Sequence, residues 1–140
     1  MRPPGTPLGL RLFTASKAVR RAFDEALASA GGSIPVWLVL TNLKGQEWRT
    51  QHELAQAVGI EGPTLTRHLD ALERQGLVLR RQDSSDRRAV VVELTPDGHA
   101  AHARLREVVI AFDRRLRSGL TQEETDTLRE LLARLEKAVS

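Results

Sequence analysis

Residues 76–95 read GLVLRRQDSSDRRAVVVELT, two short apolar runs joined by a polar turn with arginines on either side. Leu77 to Arg81 and Ala89 to Leu94 have the length and β-branched content of strands, and QDSSDRR between them is rich in turn formers. A two-stranded ribbon with a cationic tip is suited to a phosphate-lined groove. Arg80, Arg81, Arg87 and Arg88 fall within nine positions, and 18 of the 21 basic residues in the chain are arginine. Arginine presents a planar fork of donors that matches phosphate oxygens and guanine edges, so this local density says more about partners than the net charge of +3. The plainer alternative is a solvated surface in which Asp83 and Asp86 neutralise their neighbours.

The sequence before the ribbon predicts two short helices. Thr50-Gln-His-Glu53 has the spacing of a capping box, and the helix it opens runs to Val58, where Gly59 supplies a turn. Glu61-Gly62-Pro63-Thr64 then opens a second helix with an inward face of Leu65, Leu69 and Leu72, ending before Gly76. Helices of this length across a glycine turn form a helix-turn-helix, and the ribbon becomes its wing. Arg67 lies off the leucine face and therefore points outward.

Longer amphipathic helices flank this centre. Leu8, Leu12, Ala15, Val19, Phe23 and Leu27 recur at helical spacing from about Leu8 to Ala30, before Gly31 and Gly32. IPVWLVLTNL, from Ile34 to Leu43, has Ser33 as N-cap and Pro35 in its first turn, and it reads as a buried helix. On the far side, Thr95-Pro96-Asp97 caps a helix to about Leu116. A second capping box, Thr121-Gln-Glu-Glu124, opens a last helix striped with Leu128, Leu131, Leu132, Leu135 and Val139. The predicted fold is mainly α with a small β-ribbon. One domain over residues 1–140 holds a winged helix-turn-helix at about 34–95 between helices at about 7–30 and 96–139. The outer stripes either fold onto the chain's own core or pair with a second copy across a two-fold axis, and a dimer is favoured because it presents two recognition helices at once.

Composition removes several function classes. A length of 140 residues with 41% hydrophobic content suits a single compact domain. The absence of cysteine excludes disulfides, thiolate zinc sites and cysteine nucleophiles, and it favours a cytoplasmic protein. No apolar run approaches the roughly 18 residues of a membrane span, and MRPPGTPLGL lacks a secretory apolar core, so no membrane partner is expected. No nucleophile with a base, no carboxylate pair and no phosphate-cradling glycine loop stands at a recognisable spacing, so neither an enzyme nor a cofactor is expected. His52, His68, His99 and His102 are the histidines. His99 and His102, with Asp97 nearby, have a spacing open to a metal, but a solvated face without metal is the preferred reading.

QHELAQAVGIEGPTLTRHLDALERQGLVLRR and DSSDRRAVVVELTPDGHA together resemble the MarR family of bacterial transcriptional regulators, in its SlyA-like branch. The family's Asp-Arg-Arg wing tip followed by a Leu-Thr-x-x-Gly helix start is matched by Asp86-Arg87-Arg88 and by Leu94-Thr95-Pro96-Asp97-Gly98. The resemblance implies a homodimer that binds double-stranded DNA at a palindromic operator, acting as a repressor in the bacterial cytoplasm and nucleoid. It places Pro63, Thr64, Thr66, Arg67 and His68 toward the major groove, Asp86 and Arg87 at the wing, and Arg88 in the minor groove. It also implies release by a small aromatic acid or phenolic effector between the dimer helices and the winged region. Phe13, Trp37 and Trp48 are the candidate walls, with Lys17, Arg20 or Arg21 to meet an anion; the plainer reading makes Trp37 core and the cations surface. Arg87 has two readings, a phosphate contact or a partner of Asp86, and Arg80 and Arg81 are assigned to support. A winged helix used for protein contact alone, or a metal-responsive regulator, are the alternatives in function.

Overall fold

The computed structural model describes residues 5–46 and 49–140, so Trp48 lies outside the described residues. The elements in chain order are α1 (Leu8–Ala28), α2 (Ile34–Gly45), β1 (Arg49–Thr50), α3 (Gln51–Val58), α4 (Gly62–Arg74), β2 (Val78–Gln82), β3 (Val90–Leu94), α5 (Pro96–Leu116) and α6 (Gln122–Val139). Helix starts follow the capping chemistry in the sequence. The Ser33 hydroxyl accepts from the Val36 N–H at 3.3 Å, and Thr95 accepts from Gly98 at 3.0 Å. At α6 the box is complete: Thr121 Oγ1 accepts from the Glu124 N–H at 3.1 Å, and the Glu124 carboxylate accepts from the Thr121 N–H at 2.9 Å. At α3 only the hydroxyl half is present, with Thr50 Oγ1 accepting from Glu53 at 3.2 Å.

The sheet departs from the predicted ribbon. It has three antiparallel strands in the order β1-β3-β2, because Arg49 and Thr50 pair with Val92 and Val91. Two residues carry no alternation that a sequence pattern detects; only the docking of α2 and α3 brings them beside β3. The first strand of the ribbon begins at Val78 rather than Leu77 because Leu77 belongs to the helix stop. Gly76 takes the left-handed conformation at φ 75°, its N–H returns to the Glu73 carbonyl at 2.9 Å, and the Leu77 N–H returns to Leu72 at 2.9 Å. Residues with a side chain rarely adopt that φ, which is why the helix ends at this glycine.

Two apolar clusters meet across α2. Val39 and Leu43 join Leu54, Leu65, Leu69, Leu72, Val78 and Val92 beneath the winged part, all of them buried. Leu40, on the adjoining face of α2, joins Leu27, Ala101 and Leu105 between α1 and α5. Val36, Leu77 and Leu94 touch both clusters, so the winged part and the long helices share one core. Phe23 and Phe112 extend the second cluster, with ring centroids 4.9 Å apart.

The far end is different. The first half of α1 and the face of α6 flank an open cleft of about 620 Å³ lined by Leu8, Leu12, Ala15, Leu128, Leu131, Leu132 and Leu135, with Arg11 and Arg134 also lining it. Leu8 is 65% exposed, Leu128 46% and Leu131 44%, so the first half of the α1 stripe and part of the α6 stripe are left uncovered in a single chain, while Phe23 and Leu27 of α1 pack into the second cluster. No helix among the described residues is long and apolar enough to cross a membrane.

Gly98 explains its own place in the first turn of α5. A Cβ there would stand 2.0 Å from the Leu77 carbonyl oxygen and 3.2 Å from Leu94 Cδ2. The same carbonyl accepts from the Thr95 N–H at 3.1 Å, so it has little freedom to retreat. Gly98→Ala is expected to cost at least about 1 to 3 kcal/mol, the usual range for overpacking a well-filled core. Gly119→Ala, with nothing within 4 Å of the new carbon, should change stability little. Urea denaturation of the two variants measures the difference.

Candidate nucleic-acid interface

Burial of Leu65, Leu69 and Leu72 turns the opposite face of α4 outward. Arg67 is exposed on that face and carries no ion pair among the described residues. Pro63 is exposed in the first turn, while Thr64 and His68 are half-buried. No side chain caps the start of α4, which leaves the positive end of its dipole open. Thr66 is occupied: its hydroxyl donates to the Gly62 carbonyl at 3.0 Å and accepts from Gln51 Nε2 at 2.6 Å. That pair of bonds ties α3 to α4.

The wing tip is folded by its aspartates. Asp83 Oδ1 accepts from the backbone and the hydroxyl of Ser85, both at 3.1 Å, and Asp86 Oδ1 accepts from the Arg88 N–H at 2.9 Å. The side-chain amide of Gln82 donates to the Arg87 carbonyl. Asp86 therefore serves the backbone of Arg88 and forms no ion pair with Arg87, which removes one of the two readings offered for Arg87. Arg87 and Arg88 are exposed, without an ion pair among the described residues.

Arg80 behaves otherwise. Its Nη2 lies 2.6 Å from Asp70 Oδ1 and its Nε 3.1 Å from Glu73 Oε2, so β2 is bound to α4. Hydrogen bonding to Glu73, opposed by burial and helped by Asp70, raises the Arg80 pKa further above its ordinary value. The i,i+3 pair of Arg67 with Asp70, the bland expectation for an exposed helix arginine, is not formed.

Helix and wing enclose a second open cleft, of about 910 Å³, lined by His52, Gln56, Glu61, Gly62, Thr66, Asp86, Arg88 and Val90 among others. Three sequence candidates, Thr66, Asp86 and Arg88, thus face one groove. His52 and Gln56 line the same cleft and were not among the sequence candidates for DNA contact. Their i,i+4 spacing on the side of α3 away from Leu54 was the available signal.

The proposed effector residues are not gathered in this way. Phe13 is 60% exposed on α1 with Lys17 Nζ 4.8 Å from its ring centroid, and Arg20 is exposed further along. Trp37 belongs to the second core cluster, stacked on His102 at 5.1 Å. None of the four lines either cleft. His99 and His102 face different partners, Nδ1 of His99 lying 3.1 Å from Lys44 Nζ. Among the described residues no three His, Asp or Glu side chains gather as a metal site.

An uncapped helix and a cationic hairpin on a shared core define a winged helix-turn-helix of the nucleic-acid-binding class. A sequence model of the MarR family matches residues 33–90. The fold is similar to that of the transcriptional repressor CouR bound to a 23-mer DNA duplex, at 33% identity over 93% of this chain and 92% of that one, with a TM-score of 0.86. It is also similar to a mutant of MarR from E. coli complexed with operator DNA, at 28% identity over 92% and 93% of the two chains, with a TM-score of 0.83. A probable transcriptional regulator from Pseudomonas aeruginosa gives 26% identity, 91% and 96% coverage and a TM-score of 0.82. The chain belongs to the MarR family of DNA-binding transcriptional regulators.

His102 gives this fold a pH dependence. It is 7% exposed, and burial first, then Lys44, Arg106 and His99, lower its pKa below the ordinary 6.5. The unfolded chain therefore takes up this proton before the folded one does. Its contribution to stability is complete above about pH 6.5 and declines as the pH falls from there toward the folded-state value. Thermal melts are expected to show a midpoint dropping between about pH 7.5 and pH 5.5, with a smaller drop in His102→Phe.

Proposed function

We propose that the protein acts as a homodimeric repressor that binds a palindromic operator, each copy laying α4 in a major groove and its wing in the neighbouring minor groove. The observation that carries this is the pairing of two exposed arginines without ion pairs among the described residues, Arg67 on α4 and Arg88 on the wing, on elements that share one core. Arg67 would take guanine O6 and N7 together, and Arg88 would enter a narrow minor groove where negative potential is concentrated. Pro63, Thr64 and His68 flank Arg67, Arg87 meets phosphate, and Asp86 shapes the tip that carries Arg88. Thr66, its hydroxyl occupied by Gly62 and Gln51, holds α3 against α4 and so positions the start of the recognition helix. Within the family, the SlyA-like branch is the finer placement we propose.

The dimer reading, with α1 and residues 96–139 as dimerisation helices, is supported by the uncovered cleft of α1 and α6. Each leucine removed from water there contributes about 1.5 to 3 kcal/mol when fully buried. A two-fold dimer places half-sites about one helical turn apart. Ligand response is typical of the family, and an aromatic acid is the effector class we propose. Operator binding that falls with rising salicylate supports it, and a flat response across a panel of such acids contradicts it.

Arg67→Ala is expected to cost roughly 1 to 3 kcal/mol on a selected operator and to relax preference at one base pair, measured by competition titration. Equal weakening on operator and random duplex would remove Arg67 as a reader. Arg88→Ala should weaken both duplexes and lower the slope of log affinity against log salt by about 1. A winged helix used for protein contact alone predicts no salt-dependent binding by the wild type. Leu131→Glu should yield a monomer in sedimentation equilibrium with greatly weakened operator binding; an unchanged dimer would place the interface elsewhere.

A further inference from the structure

Arg80 stands at the root of the wing, yet all its contacts described above run back to α4. Besides its two ion pairs, its backbone N–H donates to the same Glu73 oxygen at 3.1 Å. Its side chain is 20% exposed, against 50% for Asp70 and 40% for Glu73, so the guanidinium is the most covered member of the cluster. Asp70 matters for another reason. It follows Arg67 by three residues on the same helix, a spacing at which side chains of opposite charge meet. Left alone, Asp70 has two cations within reach on its own helix, Arg67 at i−3 and Arg74 at i+4. A guanidinium held by a carboxylate has fewer donors left for a base edge.

We propose that Arg80 is a positioning residue for DNA reading: by holding Asp70 against β2, with Glu73 seating the guanidinium, it keeps Arg67 unpaired. The proposal rests on the reading of Arg67 as a base contact. It adds that a residue touching no nucleotide sets how well the chain tells operator from other DNA.

The test uses the full-length protein, a duplex it selects from a random pool, and a scrambled duplex of the same composition. Arg80→Met is expected to lower the ratio of the two affinities roughly two- to fivefold, the reach of an exposed ion pair of ordinary strength, with Arg74 sharing the freed carboxylate. Asp70→Asn/Arg80→Met should restore the ratio, because no carboxylate is left at i+3 to capture Arg67. Asp70→Asn/Glu73→Gln, which dissolves the clamp while keeping Arg80, should retain the ratio and remains informative if Arg80→Met folds poorly in thermal melts. An unchanged ratio in folded Arg80→Met overturns the proposal. So does a ratio lost equally in either double variant, which would make the clamp purely structural. A wild type that does not distinguish the two duplexes would instead remove the DNA reading on which the proposal rests.

Discussion

Leu65, Leu69 and Leu72 leave water against Leu54, Val78 and Val92, and in doing so they fix the rotation of α4 about its own axis. At about 100° per residue, Arg67 lies two positions from both Leu65 and Leu69 and so projects from the opposite side. The energies leave no contest. Each buried leucine contributes about 1.5 to 3 kcal/mol, while an exposed ion pair contributes less than about 1, so the apolar face decides where the arginine points. The same leucines close the core over Val78 and Val92, which places the wing beside α4 at a set distance from Arg67.

The wing shows how a chain of small net charge can present a strongly cationic probe. Asp83 and Asp86 lie among the arginines in sequence, but their carboxylates are used by Ser85 and by the backbone of Arg88. Charge and geometry are thereby separated: the acids make the turn, and the cations at the tip remain outside it. Arg80 has the reverse role, joining strand to helix through Asp70 and Glu73.

Much of this was legible in the sequence because it depends on local periodicity and local hydrogen bonding. The leucine face of α4, the caps at Ser33, Thr95 and Thr121, and the stops at Gly59 and Gly76 each involve residues within a few positions of one another. What escaped depends on packing between distant segments. Strand β1 is two residues long and exists through β3, and Arg80 meets its partners only when the wing folds back on α4. The Leu-Thr-x-x-Gly pattern was visible, but the reason for its glycine, a carbonyl at Leu77 almost touching the helix, was not. Arg87 kept two readings in sequence, phosphate contact or partner of Asp86, because sequence proximity does not say which way a turn faces. Of the aromatic candidates, Trp37 follows its plainer reading and lies in the core on His102, whereas Phe13 is exposed on α1.

The outer helices complete the account by what they lack. The first half of α1 and one face of α6 carry apolar residues that the chain does not cover, and the second copy proposed above would align two α4 helices for one operator. The most direct test of this arrangement is methylation interference on a selected operator. If α4 lies in the major groove with Arg67 on guanine O6 and N7, methylation of N7 at one guanine in each half-site abolishes binding, and the two positions lie about one helical turn apart. Binding that tolerates N7 methylation throughout the duplex would contradict the account.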